Sequence, residues 1–327
     1  RVSASDMSGR KAAVPMPLEV NSETKARFPE VVEHDVEMLL GGTSYALRRV
    51  YDSIQGSSNS AFGNGWRFAN RDVDLESDAE QTGLEQYGVH AAFAQGTRVF
   101  VTLPSGERRG FTFAPQTVDI PHLPGGWAYY RPAWQADGGN DFELQSSDAL
   151  LVRGGDQFFE QATGQPYHPA SSAFTGADYT LIAADGSRDL IDSERGVFEH
   201  IAADGARVVI SDSGITSEDG TTIAFAYDEK GRLAAVKSPS GETLHYGYDE
   251  AGNLITISDP GVGVLTRYGY EGNGSGRLAV AVRSSGPDEV YEDVTETVTP
   301  LHADLGWPVD FAGGSATGDL GGGAAQG

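Results

Sequence analysis

Apolar residues in this 327-residue chain fall in short runs that alternate large with small, or apolar with polar, and then stop at Gly, Pro or Asp. A period of two marks strands with unlike faces, and the Gly and Pro between runs mark turns. Val36-Glu37-Met38-Leu39-Leu40, a Gly41-Gly42 break and Tyr45-Ala46-Leu47-Arg48-Arg49-Val50-Tyr51 read as strand, turn and strand. In the second run Tyr45, Leu47, Arg49 and Tyr51 share one face, with Ala46, Arg48 and Val50 on the other. Phe62-Gly63-Asn64-Gly65-Trp66 sets two glycines beside large aromatics and predicts a tight turn that buries the tryptophan. Arg98–Leu103, a Pro104-Ser105-Gly106 turn and Gly110–Phe113 predict a further hairpin. One helix is expected, over Leu84 to Ala94. The fold class is all-β.

From residue 181 the pattern becomes periodic. Tyr227-Asp228 recurs as Tyr248-Asp249 and, altered, as Tyr270-Glu271, at steps of 21 and 22 residues. Each copy has an alternating run ending in Tyr-Asp, a short turn with Gly, then Leu and a second apolar run. The turn and Leu are Gly231 and Leu233 in the first copy, Gly252 and Leu254 in the second. A fixed period of this size means tandem units that bury their faces against their neighbours. Asp185-Gly186, Asp204-Gly205 and Asp219-Gly220 are turn dipeptides that read as degenerate leading repeats. The turns are expected to differ in type: Asp first and Gly last at 228–231 and 249–252, Pro-set at Ser238-Pro239-Ser240-Gly241 and Asp259-Pro260-Gly261.

In Ile223-Ala224-Phe225-Ala226-Tyr227 the large residues lie on one face and alanines on the other, and Leu244-His245-Tyr246-Gly247-Tyr248 repeats the arrangement. Stacked units therefore give a ladder of aromatics. Asp after Tyr accepts hydrogen bonds from turn amides, a structural role complete without chemistry. Asp228 and Asp249 as cation ligands is the alternative.

These patterns divide the chain into a polar linker or arm (1–32), a β-rich region preceding the repeats (33–180), a repeat sheet (181–299) and a Gly/Ala-rich tail (300–327). The chain opens on Arg1 rather than Met and is expected to be a processed or excised piece.

Charge changes the list of partners. With 47 acidic and 23 basic residues the net charge is −24. Such a surface repels phosphate backbones and anionic lipid, so neither nucleic acid nor membrane is an expected partner. There is no cysteine, which excludes disulfides, thiolate metal sites and a cysteine nucleophile. No apolar run is long enough for a transmembrane helix.

Candidate chemistry is sparse. The seven histidines show no ligand spacing for zinc. No G-x-S-x-G, P-loop, G-x-G-x-x-G or H-E-x-x-H is present. Asp72, Asp74, Glu76 and Asp78 alternate: on a strand they share one solvated face, in a loop they form a partial calcium ligand set, with Ser77 where an EF-hand needs Gly. Calcium is thus the one candidate cofactor. Trp127, Tyr129, Tyr130 and Trp134 form the most aromatic stretch. They read as core, with stacking on a sugar as the alternative.

The units Tyr227-Asp228-x-x-Gly231-x-Leu233 and Tyr248-Asp249-x-x-Gly252-x-Leu254 resemble the YD repeats of the rearrangement-hotspot (Rhs) family of bacterial toxins and wall-associated proteins, shared with animal teneurins. Leu47-Arg48-Arg49-Val50-Tyr51-Asp52-Ser53 with Phe62-Gly63-Asn64-Gly65-Trp66 is similar to the segment preceding the repeats in bacterial members. In the third unit Glu271 replaces Asp, and Gly272-Asn273-Gly274-Ser275-Gly276 lengthens the turn. The resemblance implies hairpin repeats winding into a spiralling sheet, part of a hollow shell in complete members, behind an N-terminal cap. It implies a non-enzymatic scaffold segment of a large secreted or surface protein, serving as shell or adhesive stalk. Its partners would be the rest of a longer chain or copies of itself. A carbohydrate- or protein-binding adhesion module and a toxin-enclosing shell are the alternatives.

Overall fold

The computed structural model describes residues 2–5, 11–14, 31–40, 43–52, 60–103, 108–119, 128–138, 141–271, 277–284 and 289–290. The regular structure of the described residues is essentially all β, in antiparallel sheets. Most of the chain's second half is one 13-stranded sheet. It begins with Glu143–Ser146 paired to Tyr179–Ile182, then runs strand by strand to Glu289–Val290. From Tyr179–Ile182 onward each strand pairs with the next in sequence, the topology that short turns between alternating runs impose.

The turns are more uniform than their sequences suggest. At 183–187, 202–206, 217–221, 228–232, 238–242 and 249–253, the first residue's N–H donates to the fifth residue's carbonyl. The fourth residue, a glycine, donates to the first residue's carbonyl. Its φ is positive each time, from 78° at Gly231 to 97° at Gly252, where a side chain would be strained. The expected difference in type does not hold for Ser238-Pro239-Ser240-Gly241. Pro fits the second position of the same turn, because its fixed φ is the one needed there.

Within the repeats the register slips at the same place in each unit, with a further slip between Ile257 and Ser258. The shared slips lie between Ala226 and Tyr227, Gly247 and Tyr248, and Gly269 and Tyr270, so that Tyr227, Tyr248 and Tyr270 face Leu233, Leu254 and Leu278. Each unit thus carries a β-bulge at its tyrosine, which twists the strand and interrupts the ladder of peptide bonds. On Thr222–Tyr227 the large residues turn inward and Ala224 and Ala226 are exposed, as alternation predicts.

The inward face is covered by a three-stranded sheet, Val31–Leu40, Thr43–Tyr51 and Trp66–Phe68, called the plug below. Tyr45, Leu47, Arg49 and Tyr51 do share a buried face, and Trp66 is fully buried. Val50, expected on the opposite face, is buried as well. Two four-stranded sheets complete the body. One holds Asp74–Ser77, Arg98–Thr102, Arg108–Phe113 and Trp134–Ala136; the other holds Gln116–Val118, Tyr129–Arg131, Leu151–Gly154 and Gln157–Glu160. A single apolar cluster runs through these sheets, the plug and the large sheet. Within the N-terminal stretch read as linker, Val2–Ser5 pairs with Lys11–Val14.

The helix expected over Leu84 to Ala94 does not form. Only a 3-10 turn, Glu85–Tyr87, is present, and Gly88 ends it at φ 74°. Leu84, Tyr87 and Val89 are exposed while Ala92 and Phe93 are buried, so the segment's buried side chains gather at its C-terminal end and give no continuous helical stripe toward the core. Among the described residues no helix is long and apolar enough to cross a membrane.

Candidate functional site: the repeat face and its plug

The repeat tyrosines join neighbouring hairpins. Tyr248 Oη donates to the Leu233 carbonyl at 2.7 Å, and Tyr270 Oη donates to the Leu254 carbonyl at 2.8 Å. In both units the tyrosine reaches the leucine that follows the turn of the unit before it. Burial holds the Tyr246, Tyr248 and Tyr270 phenols well above their ordinary pKa, so each stays protonated and able to donate. Tyr227, first in the series, lies instead against Arg71.

The repeat carboxylates are held in their own turns. Asp228 Oδ1 accepts from the Lys230 and Arg232 amides and Oδ2 from Arg232 Nε. Asp249 Oδ1 accepts from the Asn253 amide and Oδ2 from Asn253 Nδ2. Both are turn caps. Gly231 and Gly252 supply the left-handed positions, and Leu233 and Leu254 fill the core beneath them.

The plug binds where the bulges leave the sheet incomplete. Leu233 N donates to the Ala61 carbonyl at 2.6 Å, and Leu278 N donates to Tyr51 Oη at 2.8 Å. Asn64 N donates to the Gly252 carbonyl at 3.0 Å, while Asn64 Nδ2 donates to the Ala251 carbonyl and to Asn253 Oδ1. Gly63 (φ 82°) is a close-approach glycine as well as a turn glycine: a Cβ there would lie 2.3 Å from the Gly252 oxygen. The Phe62-Gly63-Asn64-Gly65-Trp66 motif is therefore shaped to dock on a repeat turn.

A buried ion pair lies at the centre. Arg49 Nε and Nη2 donate to the two oxygens of Asp35 at 2.5 and 2.7 Å, and Nη2 also donates to Tyr268 Oη at 3.1 Å. Tyr246 Oη donates to Asp35 Oδ2 at 2.7 Å. The guanidinium lies 4.6 Å from the Trp66 ring centre, with Phe62 and Tyr268 at 5.6 and 5.7 Å. Burial alone would lower the Arg49 pKa; the Asp35 charge more than reverses this and holds it above the ordinary value. Asp35 escaped sequence reasoning. The available signal was Arg49, a cation on an otherwise aromatic face, which requires a buried partner. Arg283 closes the far side by an ion pair to Glu33 at 2.5 Å.

The other singled-out residues are dispersed. Tyr130 packs edge-on against Phe158, and Trp134 lies against Phe93, Phe113 and Tyr179 with Nε1 donating to Ser146 Oγ. Tyr129, next to Tyr130 on the same strand, points to the opposite face, so these three rings form no continuous platform. Trp127 lies outside the described residues. Of the acidic run, only Asp74 and Glu76 fall within the strand Asp74–Ser77. Asp72 accepts from the Phe68 amide and Arg71, Glu76 from Arg108, and Asp78 from the Arg98 amide. Among the described residues no three His, Cys, Asp or Glu side chains gather as a metal site.

Tandem hairpins that share a turn, a bulge at the tyrosine and, in the second and third units, a tyrosine bond to the unit before define an all-β repeat protein whose array is closed on its inner face by a plug. Residues 213–243 and 227–261 match the family model described as RHS Repeat, and this part of the chain is built of RHS repeats. Repeats of this family are generally structural rather than enzymatic. No curated protein matches the chain.

Proposed function

We propose that this chain is a scaffold segment of a large secreted or cell-surface YD-repeat protein, supporting a shell or an adhesive stalk. The observation that carries this reading is the use of the repeat's polar groups. The tyrosine hydroxyls and aspartates join one hairpin to the next or close its turn, leaving the repeat face to bear load rather than to perform chemistry. The association of RHS repeat proteins with the extracellular space or cell surface supports the location. Further strands of a longer chain, or a second copy, are the natural partners, because a sheet edge offers unpaired backbone groups to an incoming strand.

Protease shaving of intact source cells tests this. Peptides from 183–271 should be released before lysis and belong to a species heavier than 34.6 kDa or to an oligomer of this chain. Their appearance only after lysis, from a monomer of this mass, would overturn the reading.

A further inference from the structure

A cavity of about 210 Å³ lies where the plug meets the large sheet and the sheet containing Arg98–Thr102. Its body is aliphatic, with Val101, Leu103, Leu181 and Ile191, all nearly or fully buried. Its charged and aromatic polar groups are Asp189, His200, Arg48 and the Tyr45 phenol, with Ser44, Asn70 and Thr102 also on the wall. His200 Nδ1 and Asp189 Oδ1 are 2.7 Å apart, and their side chains remain 28% and 38% exposed. Neither the repeat chemistry nor the plug's ion pair uses this group. A small cavity with an aliphatic wall on one side and polar side chains on the other is a form that small-molecule sites take.

We propose that this cavity binds a small uncharged ring-bearing alcohol or phenol. Size sets the body of the ligand: a cavity of about 150 Å³ lined by aliphatic and aromatic groups accommodates benzene. This one therefore takes a single ring with a short substituent. Charge sets the head. An anion meets the Asp189 carboxylate and a chain of net charge −24, and a cation meets Arg48 and a histidine already paired with a carboxylate. A hydroxyl both donates and accepts, so it can donate to Asp189 while accepting from Arg48 or His200. Sugars are disfavoured because they carry hydroxyls all round the ring, and those turned to Val101, Leu103, Leu181 and Ile191 would find no partner.

The test is a titration of the full chain with p-cresol, benzoate, benzylamine and glucose. It is followed by the histidine imidazole NMR signals, with His200 assigned by its loss in His200→Gln. p-Cresol should shift the His200 signal saturably, and each of the other three should bind at least about tenfold more weakly, the difference that one mismatched polar group produces. Val101→Phe fills the cavity and should abolish the shift. Asp189→Asn, at the exposed polar end, should weaken p-cresol about tenfold and decides the matter if Val101→Phe does not fold. An unsaturated p-cresol titration, equal binding of benzoate or glucose, or a response untouched by the variant that folds would overturn the proposal.

Discussion

Arg49 is a full charge with no exposed surface, and its stability rests on one carboxylate. Removing one member of such a pair leaves the other buried and uncompensated, which costs about 3–5 kcal/mol. Asp35→Ala should therefore lower the unfolding free energy by that amount in urea melts. The double replacement Asp35→Leu with Arg49→Met should cost less than Asp35→Ala alone. Two histidines supply the pH dependence, with opposite signs. His168 stacks on His90 at 4.4 Å, meets the edge of Phe93, and accepts the Ala170 amide on Nδ1, a bond only the neutral ring can make. Burial, then the His90 charge, push its pKa down to about 4, with Glu85 opposing. Because the folded value lies below the unfolded 6.5, its stability is whole above about pH 6.5 and is lost as pH falls toward 4, at most roughly 3 kcal/mol. His168→Gln should flatten the melting temperature across that window. His200 is raised by its hydrogen bond to Asp189, so its contribution is whole below pH 6.5 and is lost as pH rises through its folded value. His200→Gln should thus cost more at pH 5.5 than at pH 8.

At the scale of the element, two glycines with nearly the same φ separate backbone strain from close approach. Gly231 (φ 78°) has open space where a Cβ would go, and Gly63 (φ 82°) has the Gly252 oxygen there. Gly231→Ala should cost only the left-handed penalty of about 1–2 kcal/mol. Gly63→Ala should cost clearly more in the same chemical melt, because the docking loop must also draw back from the turn. This scale is also where sequence reading succeeds and fails most visibly. The strands and turns of 181–271 were legible because period-two alternation and a turn glycine, preceded within three residues by Asp or Ser, act locally. Leu84 to Ala94 read as a helix, but a helix needs one stripe facing the core, and here Leu84, Tyr87 and Val89 lie in solvent while Ala92 and Phe93 at the far end are buried. The bulges were not legible: Tyr-Asp marks where they fall, but what makes them tolerable is a donor or acceptor brought by the plug.

At the scale of the molecule, the plug converts a nearest-neighbour array into a cooperative unit. In a simple repeat array stability is local and ends fray. Here Ala61, Asn64, Arg49 and Tyr51 bond to residues spread from Leu233 to Leu278. Loosening the plug with Gly63→Ala should therefore raise amide hydrogen exchange across 225–282 together, rather than at the 249–253 turn alone. Exchange confined to that turn would show that the repeats hold themselves. The candidate site was legible only in halves: both motifs stood out in the sequence, but their docking joins positions close to two hundred residues apart, and no local pattern records it.

That separation also sets a waiting time. Arg49 and Tyr268 are 219 residues apart, and ribosomes add roughly 5–20 residues per second, so the plug emerges roughly 10–40 s before its last partner exists. During that interval Phe62, Trp66 and the Arg49 cage face solvent. The nascent chain therefore carries these aromatic side chains without their partners for the whole of that interval, and they, rather than repeat strands that pair with their sequence neighbours as they emerge, are what a chaperone would shield.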